Sequence, residues 1–184
     1  MRRLVVTENI TVDGVISPIG DWFDPADADE ELAAVNARNG ADSDALVLGR
    51  VTYEEFAGFW PQQDGEISAY LDQVAKYVVS ANLDKAEWQN TTILRGPVTD
   101  ELAALKQAEG ADITITGSAT LVRSLIPTGL VDVYRLFVYP RVQGHGVRLF
   151  EDVTLGLTPI ETRTFSSGVL LLEYATSPGG SAPR

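Results

Sequence analysis

The chain has 184 residues, 45% of them hydrophobic, and a net charge of −12, which suits one soluble globular domain and disfavours a nucleic-acid backbone as partner. The absence of cysteine excludes disulfides and thiolate metal sites, and the single histidine, His145, rules out a histidine-rich zinc centre within one chain. No spaced acidic motif argues for another metal, no apolar run reaches the length of a membrane span, and the N-terminus lacks a signal-peptide layout, so a metal-free cytoplasmic protein is expected.

Residues 3–7 read as a first strand, and Ile10 to Ile16 continue it or pair with it through the turn-prone Asp13-Gly14. Pro18, Gly20 and Pro25 make residues 17–26 a loop. Asp27-Ala28-Asp29-Glu30 has capping-box spacing and predicts a helix from Asp27 to near Gly40. An apolar run at 45–48 ends in Gly49, and Thr52-Tyr53-Glu54-Glu55 is a second capping box. Tyr53, Phe56, Ala57 and Trp60 follow at helical spacing until Pro61, and Ile67, Tyr70, Leu71 and Val74 repeat the pattern. Short strands are expected at 77–80 and 92–94. Thr99 caps a helix with Leu102 and Leu105 inward, closing at Gly110.

A strand at 112–116 leads into a helix with Leu121, Val122, Leu125 and Ile126 on its buried face, ended by Pro127. Segments 131–142, 147–150, 160–165 and 169–175 are strand-like. The Pro/Gly/Ser-rich tail, 177–184, is expected to be disordered, leaving one domain over 1–176. Alternating strands and helices followed by a strand-rich end imply an α/β fold. Its sheet should be mostly parallel, with an antiparallel C-terminal edge.

Two strand–glycine–helix junctions carry the chemistry. Ile113-Thr114-Ile115-Thr116-Gly117-Ser118-Ala119-Thr120-Leu121 brings backbone N–H groups to a helix mouth with no bulky side chain in the way, a place for a phosphate or pyrophosphate. Leu48-Gly49-Arg50-Val51-Thr52 is the second junction, with a guanidinium whose planar fork suits phosphate and with Thr52 as the cap. Ser80 ends a strand at the position where open α/β sheets bind ligands. Arg50, Ser80 and Gly117–Thr120 together would engage one long ligand with several phosphates. Neither Gly-x-Gly-x-x-Gly after the first strand nor a P-loop is present, so a Rossmann site is disfavoured.

In order along the chain, Thr11-Val12-Asp13-Gly14, Val47-Leu48-Gly49-Arg50-Val51-Thr52-Tyr53-Glu54, Lys76-Tyr77-Val78-Val79-Ser80, Thr116-Gly117-Ser118-Ala119-Thr120-Leu121 and Tyr139 to Phe150 resemble the dihydrofolate reductase superfamily, most closely its RibD C-terminal-domain branch. The resemblance implies a three-layer αβα sandwich of dihydrofolate-reductase type, NADPH as cofactor, and a homodimer. It implies that Arg50 and Ser80, beside Gly49 and Thr52, meet the phosphate-bearing adenosine half, that Gly117, Ser118, Ala119, Thr120 and Leu121 cradle the pyrophosphate, and that Asn9 and Ile16 lie near the nicotinamide. The second glycine common at that turn in the family is Ser118 here.

The implied substrate is a small planar nitrogen heterocycle, a ribosylaminopyrimidine of riboflavin biosynthesis type or a dihydropterin. Without zinc ligands in the chain, deamination on the riboflavin route would fall to another protein. A catalytically inactive NADP(H)- or nucleotide-binding protein of the same fold, or a sensing module, is the rival. Trp22-x-x-Pro25-x-Asp27 is similar to a segment of dihydrofolate reductases in which an acid assists protonation. Asp27 is therefore either that acid or only a helix cap paired with Glu30. Trp22, Tyr53 and Phe56 line a heteroaromatic pocket or belong to the core, and His145 lies in a Gly-x-Gly loop that relatives place near the active site.

Overall fold

A computed structural model describes residues 1–19, 22, 23 and 29–176. Its elements are β1 (Leu4–Thr11), β2 (Val15–Ser17), α1 (Glu30–Ala41), β3 (Ser43–Gly49), α2 (Arg50–Phe59), α3 (Glu66–Gln73), β4 (Ala75–Val79), β5 (Thr91–Leu94), α4 (Val98–Gln107), β6 (Asp112–Ile115), α5 (Ala119–Leu125), β7 (Val133–Tyr139), β8 (Val147–Arg148), β9 (Leu157–Thr164) and β10 (Leu170–Thr176). One sheet has the order β5-β4-β3-β6-β1-β7-β10-β9. Its first six strands run parallel, and β10 and β9 close it antiparallel, as expected from the sequence. A short ribbon, β2 with β8, sits apart.

Parallel strands buried on both faces need apolar side chains on both, and the core divides accordingly. Leu4, Val6 and Ile10 of β1 pack with Leu102 of α4 and with Leu121, Val122 and Leu125 of α5. On the other face, Leu46, Leu48 and Val78 meet Tyr53, Leu71 and Val74 of the α2–α3 side, while Phe137, Tyr139 and Leu171 meet Leu32 and Val35 of α1. Right-handed crossovers explain the split. The chain moves one way along the sheet through α1, α2 and α3 and returns through α4 and α5, so the two helix sets cover opposite faces. The result is the three-layer αβα sandwich.

Several local readings shift. Helix α1 starts at Glu30, and its cap is Asp29, whose carboxylate accepts the Leu32 N–H at 3.0 Å. The second Asp29 oxygen accepts Ser166 Oγ at 2.9 Å and the Ser167 N–H at 2.8 Å, from the β9–β10 turn. The Asp27 cap with Glu30 is therefore corrected to Asp29, which serves the helix and the distant turn together. Asp27 itself lies outside the described residues, as does the tail after Thr176. Thr52 is not a cap either, because α2 begins three residues earlier than its capping box requires, at Arg50 with Gly49 as its N-cap. Nor is Thr99, since α4 starts at Val98 after Pro97 and ends at Gln107, short of Gly110. The strand expected over 131–142 is confined to Val133–Tyr139, the stretch that pairs with β1 and β10.

Candidate functional site

Strands β3 and β6 are neighbours and point the same way, so their C-terminal turns lie side by side at one edge of the sheet. The Ser118 hydroxyl joins them. It accepts the Gly49 N–H at 2.8 Å and shares a hydrogen bond with Thr52 Oγ1 at 2.7 Å. Thr52 thus spends its hydroxyl between the turns. The approach is close enough that a Cβ on Gly49 would stand 2.6 Å from Ser118 Oγ, and one on Gly117 2.7 Å from Thr52 Cγ2. Gly117 and Ser118 both have left-handed backbone, φ +63° and +59°. Among the described residues no side chain caps α2 or α5, so the leading N–H groups of both helices converge on the same edge without intrahelical partners.

Behind this edge lies Glu8, on β1 between β6 and β7 and buried with the α5 face. Its carboxyl faces the Gly117 backbone N–H, the group that favours its charged form, and Oε1 has no partner among the described residues. Burial pushes the carboxyl up to about 8, the Gly117 N–H offsetting only part of the desolvation. Sequence reasoning passed over Glu8. The available signal is an acid in period-two alternation with apolar Val6 and Ile10, which the structure makes core residues of the same strand.

The remaining candidates spread along the same edge or away from it. Arg50 opens α2, exposed, and forms an i,i+4 ion pair with Glu54 at 2.7 Å. Ser80 follows β4. Its Oγ accepts the Asn82 and Leu83 N–H groups at 3.2 and 3.0 Å, so the hydroxyl shapes that turn. Arg95, just past β5, donates to Leu83 O at 2.7 Å and adds a second cation to this end, one that the sequence reading did not single out. Ala119 and Leu121 are buried and Thr120 is exposed. Asn9 lies half-buried on the face of β1 opposite Glu8, and Ile16 is core.

The aromatic candidates do not share one pocket. Tyr53 and Phe56 belong to the α2–α3 core, where the Tyr53 hydroxyl accepts the Trp88 N–H at 3.1 Å. Trp22 packs edge-on to Tyr139 on the α1 face. On that face two buried polar atoms, Trp22 Nε1 and Thr7 Oγ1, lack partners among the described residues. His145 is exposed in a loop held against the β1–β2 turn by Asp13, which accepts the Gln143 and Gly144 N–H groups at 3.0 and 2.8 Å. Those bonds hold the Asp13 carboxyl well below the usual carboxylate range. Among the described residues no His/Asp/Glu group could hold a metal ion, and no helix is long and apolar enough to cross a membrane.

The model of the RibD C-terminal domain family matches residues 2–171. The chain belongs to that family. It is 29% identical over 180 residues to uncharacterized protein YyaP of Bacillus subtilis (strain 168), covering 94% of each chain. Among solved structures it is similar to a putative riboflavin biosynthesis protein from Shewanella sp. PV-4, with TM-score 0.75 and 20% identity over 96% of this chain and 99% of that one. It is also similar to dihydrofolate reductase from Enterococcus faecalis complexed with NADP(H), with TM-score 0.64 and 18% identity over 96% of this chain and 97% of that one. The fold is therefore of dihydrofolate-reductase type, as the resemblance implied.

Proposed function

We propose that the chain is an NADPH-dependent reductase of a small planar nitrogen heterocycle, either a ribosylaminopyrimidine or a dihydropterin. The observation that carries this reading is the pair of uncapped helix N-termini tied together through Ser118 at the C-terminal edge of the parallel sheet. The residues present fit a pyrophosphate. They offer convergent backbone donors, small side chains at Ser118, Ala119 and Thr120, and no bulky group between the turns. In this reading Gly49, Thr52 and Gly117–Leu121 shape that cradle, Arg50 and Ser80 serve the adenosine phosphate, and Asn9 and Ile16 border the nicotinamide. Family membership and the NADP(H) complex of the Enterococcus enzyme support it.

When bound, the nicotinamide supplies a hydride, and the reduced C=N bond also needs a proton at nitrogen. The substrate belongs on the α1 face, where Trp22 Nε1 and Thr7 Oγ1 are buried without partners among the described residues. Asp27 is the acid proposed to assist that protonation. The test is to titrate the protein with NADPH, following the nicotinamide fluorescence, and then to add dihydropterin or the aminopyrimidine and follow NADPH oxidation. NADPH should bind, and one heterocycle should be reduced. Asp27→Asn should lower turnover about 10²-fold with binding unchanged. Absence of NADPH binding would overturn the reading, and binding without turnover of any heterocycle would leave a cofactor-binding protein.

A further inference from the structure

We propose that Glu8 is a positioning residue for the cofactor: its side chain and the anionic group on the paired turns share one site electrostatically, so the cofactor is held only while Glu8 is uncharged. The inference rests on the cofactor reading above and on three observations about Glu8. The residue is 4% exposed. It stands two residues beyond Val6, the register partner of Ile115 on the parallel strand β6, and so beside Gly117, a residue of the turn proposed to meet the pyrophosphate. One carboxyl oxygen, Oε1, finds no partner among the described residues.

A buried carboxylate with an unpaired oxygen and no cation beside it is expensive, whereas the neutral acid carries no charge to desolvate and leaves only one polar group short of a partner. Burial holds the group near 8, so at neutral pH the acid form predominates. The surroundings offer no compensating charge. Strand β6 presents Ile113 and Ile115 to this face, and its Asp112 is paired with Arg3 at the far end of the strand. Strand β7 presents Leu136 and Tyr134, whose phenol is itself pushed up to about 12 by burial. Arg135 of β7 faces the opposite layer and is paired with Glu173 at 3.3 Å. On α5 the charged residue is Arg123, committed to Glu151 at 2.9 Å and to backbone carbonyls of the β8 segment. Arg148 of β8 donates to Asp13 O and lies 3.7 Å from the Asp13 carboxylate.

An ionised Glu8 would therefore place an uncompensated negative charge directly behind the turn on which a doubly charged pyrophosphate sits. By linkage, each must disfavour the other equally. The chain's choice of an acid here, rather than an apolar residue, makes cofactor affinity depend on one proton.

The experiment compares the wild type with Glu8→Gln, whose amide keeps the size and a carbonyl oxygen to face Gly117 but cannot ionise. NADPH dissociation constants are measured by fluorescence from about pH 6 to about pH 9.5, alongside thermal melts of the cofactor-free proteins. In the wild type the Kd should be flat below about pH 7 and weaken towards ten-fold per pH unit above about 8, whereas in Glu8→Gln it should stay flat. The melts have their own sign. Glu8 binds its proton more tightly folded than unfolded, from an ordinary 4.5 to about 8, so its contribution to stability is complete below about 4.5 and is lost as pH rises through 8. That loss should vanish in Glu8→Gln.

Lys76, brought down to about 8 by burial, titrates in the same range with the opposite sign, but it is common to both proteins. Parallel Kd profiles in the two proteins would overturn the inference alone. Absence of NADPH binding at any pH would remove the cofactor reading and this inference with it. Should Glu8→Gln not fold, the carboxyl ¹³C shift of Glu8 in wild type decides. NADPH should move its titration upward by about one pH unit or more, and an unmoved titration would overturn the proposal.

Discussion

The two strand–glycine–helix turns look alike in sequence and differ in what each glycine does. Gly49 has ordinary extended backbone, φ −77° and ψ 162°, and needs to lack a side chain only because Ser118 Oγ stands where its Cβ would go. Gly117 has a left-handed φ of +63° and also meets Thr52, so both conformation and contact require it. The first turn carries a cation on its rim, Arg50, and the second has an acid behind it, Glu8. A similar strand–turn–helix pattern thus divides into a turn that attracts charge and a turn that sets shape.

Breaking the shaping turn should have the largest effect. Gly117→Val forces a β-branched residue into left-handed backbone and against Thr52, and should cost about 3 kcal/mol or more of stability. Gly49→Ala, facing a hydroxyl rather than a conformational barrier, should cost clearly less. Denaturant melts of the pair would check this, and equal losses would erase the distinction. Lost cofactor binding in Gly117→Val is informative only if the protein stays folded.

Next in size is the charged turn. Arg50→Ala should weaken NADPH binding about ten-fold or more, on the order of 1.5–3 kcal/mol for a charge-assisted phosphate contact, and change NADH binding much less. Equal losses with both cofactors would move Arg50 away from the adenosine phosphate.

The link between the turns comes third. Ser118→Ala removes both the Gly49 and the Thr52 hydrogen bonds and should cost about 1–2 kcal/mol, while Thr52→Val, which leaves the Gly49 bond in place, should cost roughly half as much. A double-mutant cycle in chemical denaturation should show strong coupling between the two, and additive losses would mean that the turns are held together by other contacts.

The smallest expected change sharpens the role of the charged turn. Glu54 holds Arg50 in an exposed ion pair that a phosphate would have to replace. Such pairs contribute roughly 0.2–1 kcal/mol, so Glu54→Gln should tighten NADPH binding by up to a few fold. Binding weakened by Glu54→Gln would show that Glu54 positions Arg50 instead of competing for it.

Periodicity and turn chemistry were enough to place the strands, the helices and the two glycine junctions, because those signals are local. The apolar faces of α2 and α5, the antiparallel close at β10 and β9, and Gly49 and Gly117 could all be read from neighbours within a few residues. What escaped was decided by partners far away in the chain. Asp27 and Asp29 both read in the sequence as caps of the same helix, and Asp29 is the cap, with Ser166, 137 residues later, folded back onto its second oxygen. Ser118 reads as a small residue in a phosphate turn, yet its hydroxyl is used by Gly49, 69 residues earlier. Tyr53 reads equally well as pocket or core until Trp88 claims its hydroxyl. Glu8 reads as a polar residue just past the first strand until β6 and β7 close on either side of it. Spacing along the chain dictates which residues share a face. Only the packed sheet decides which polar group is desolvated, which oxygen finds a donor, and therefore which side chain holds the fold and which is left to meet a ligand.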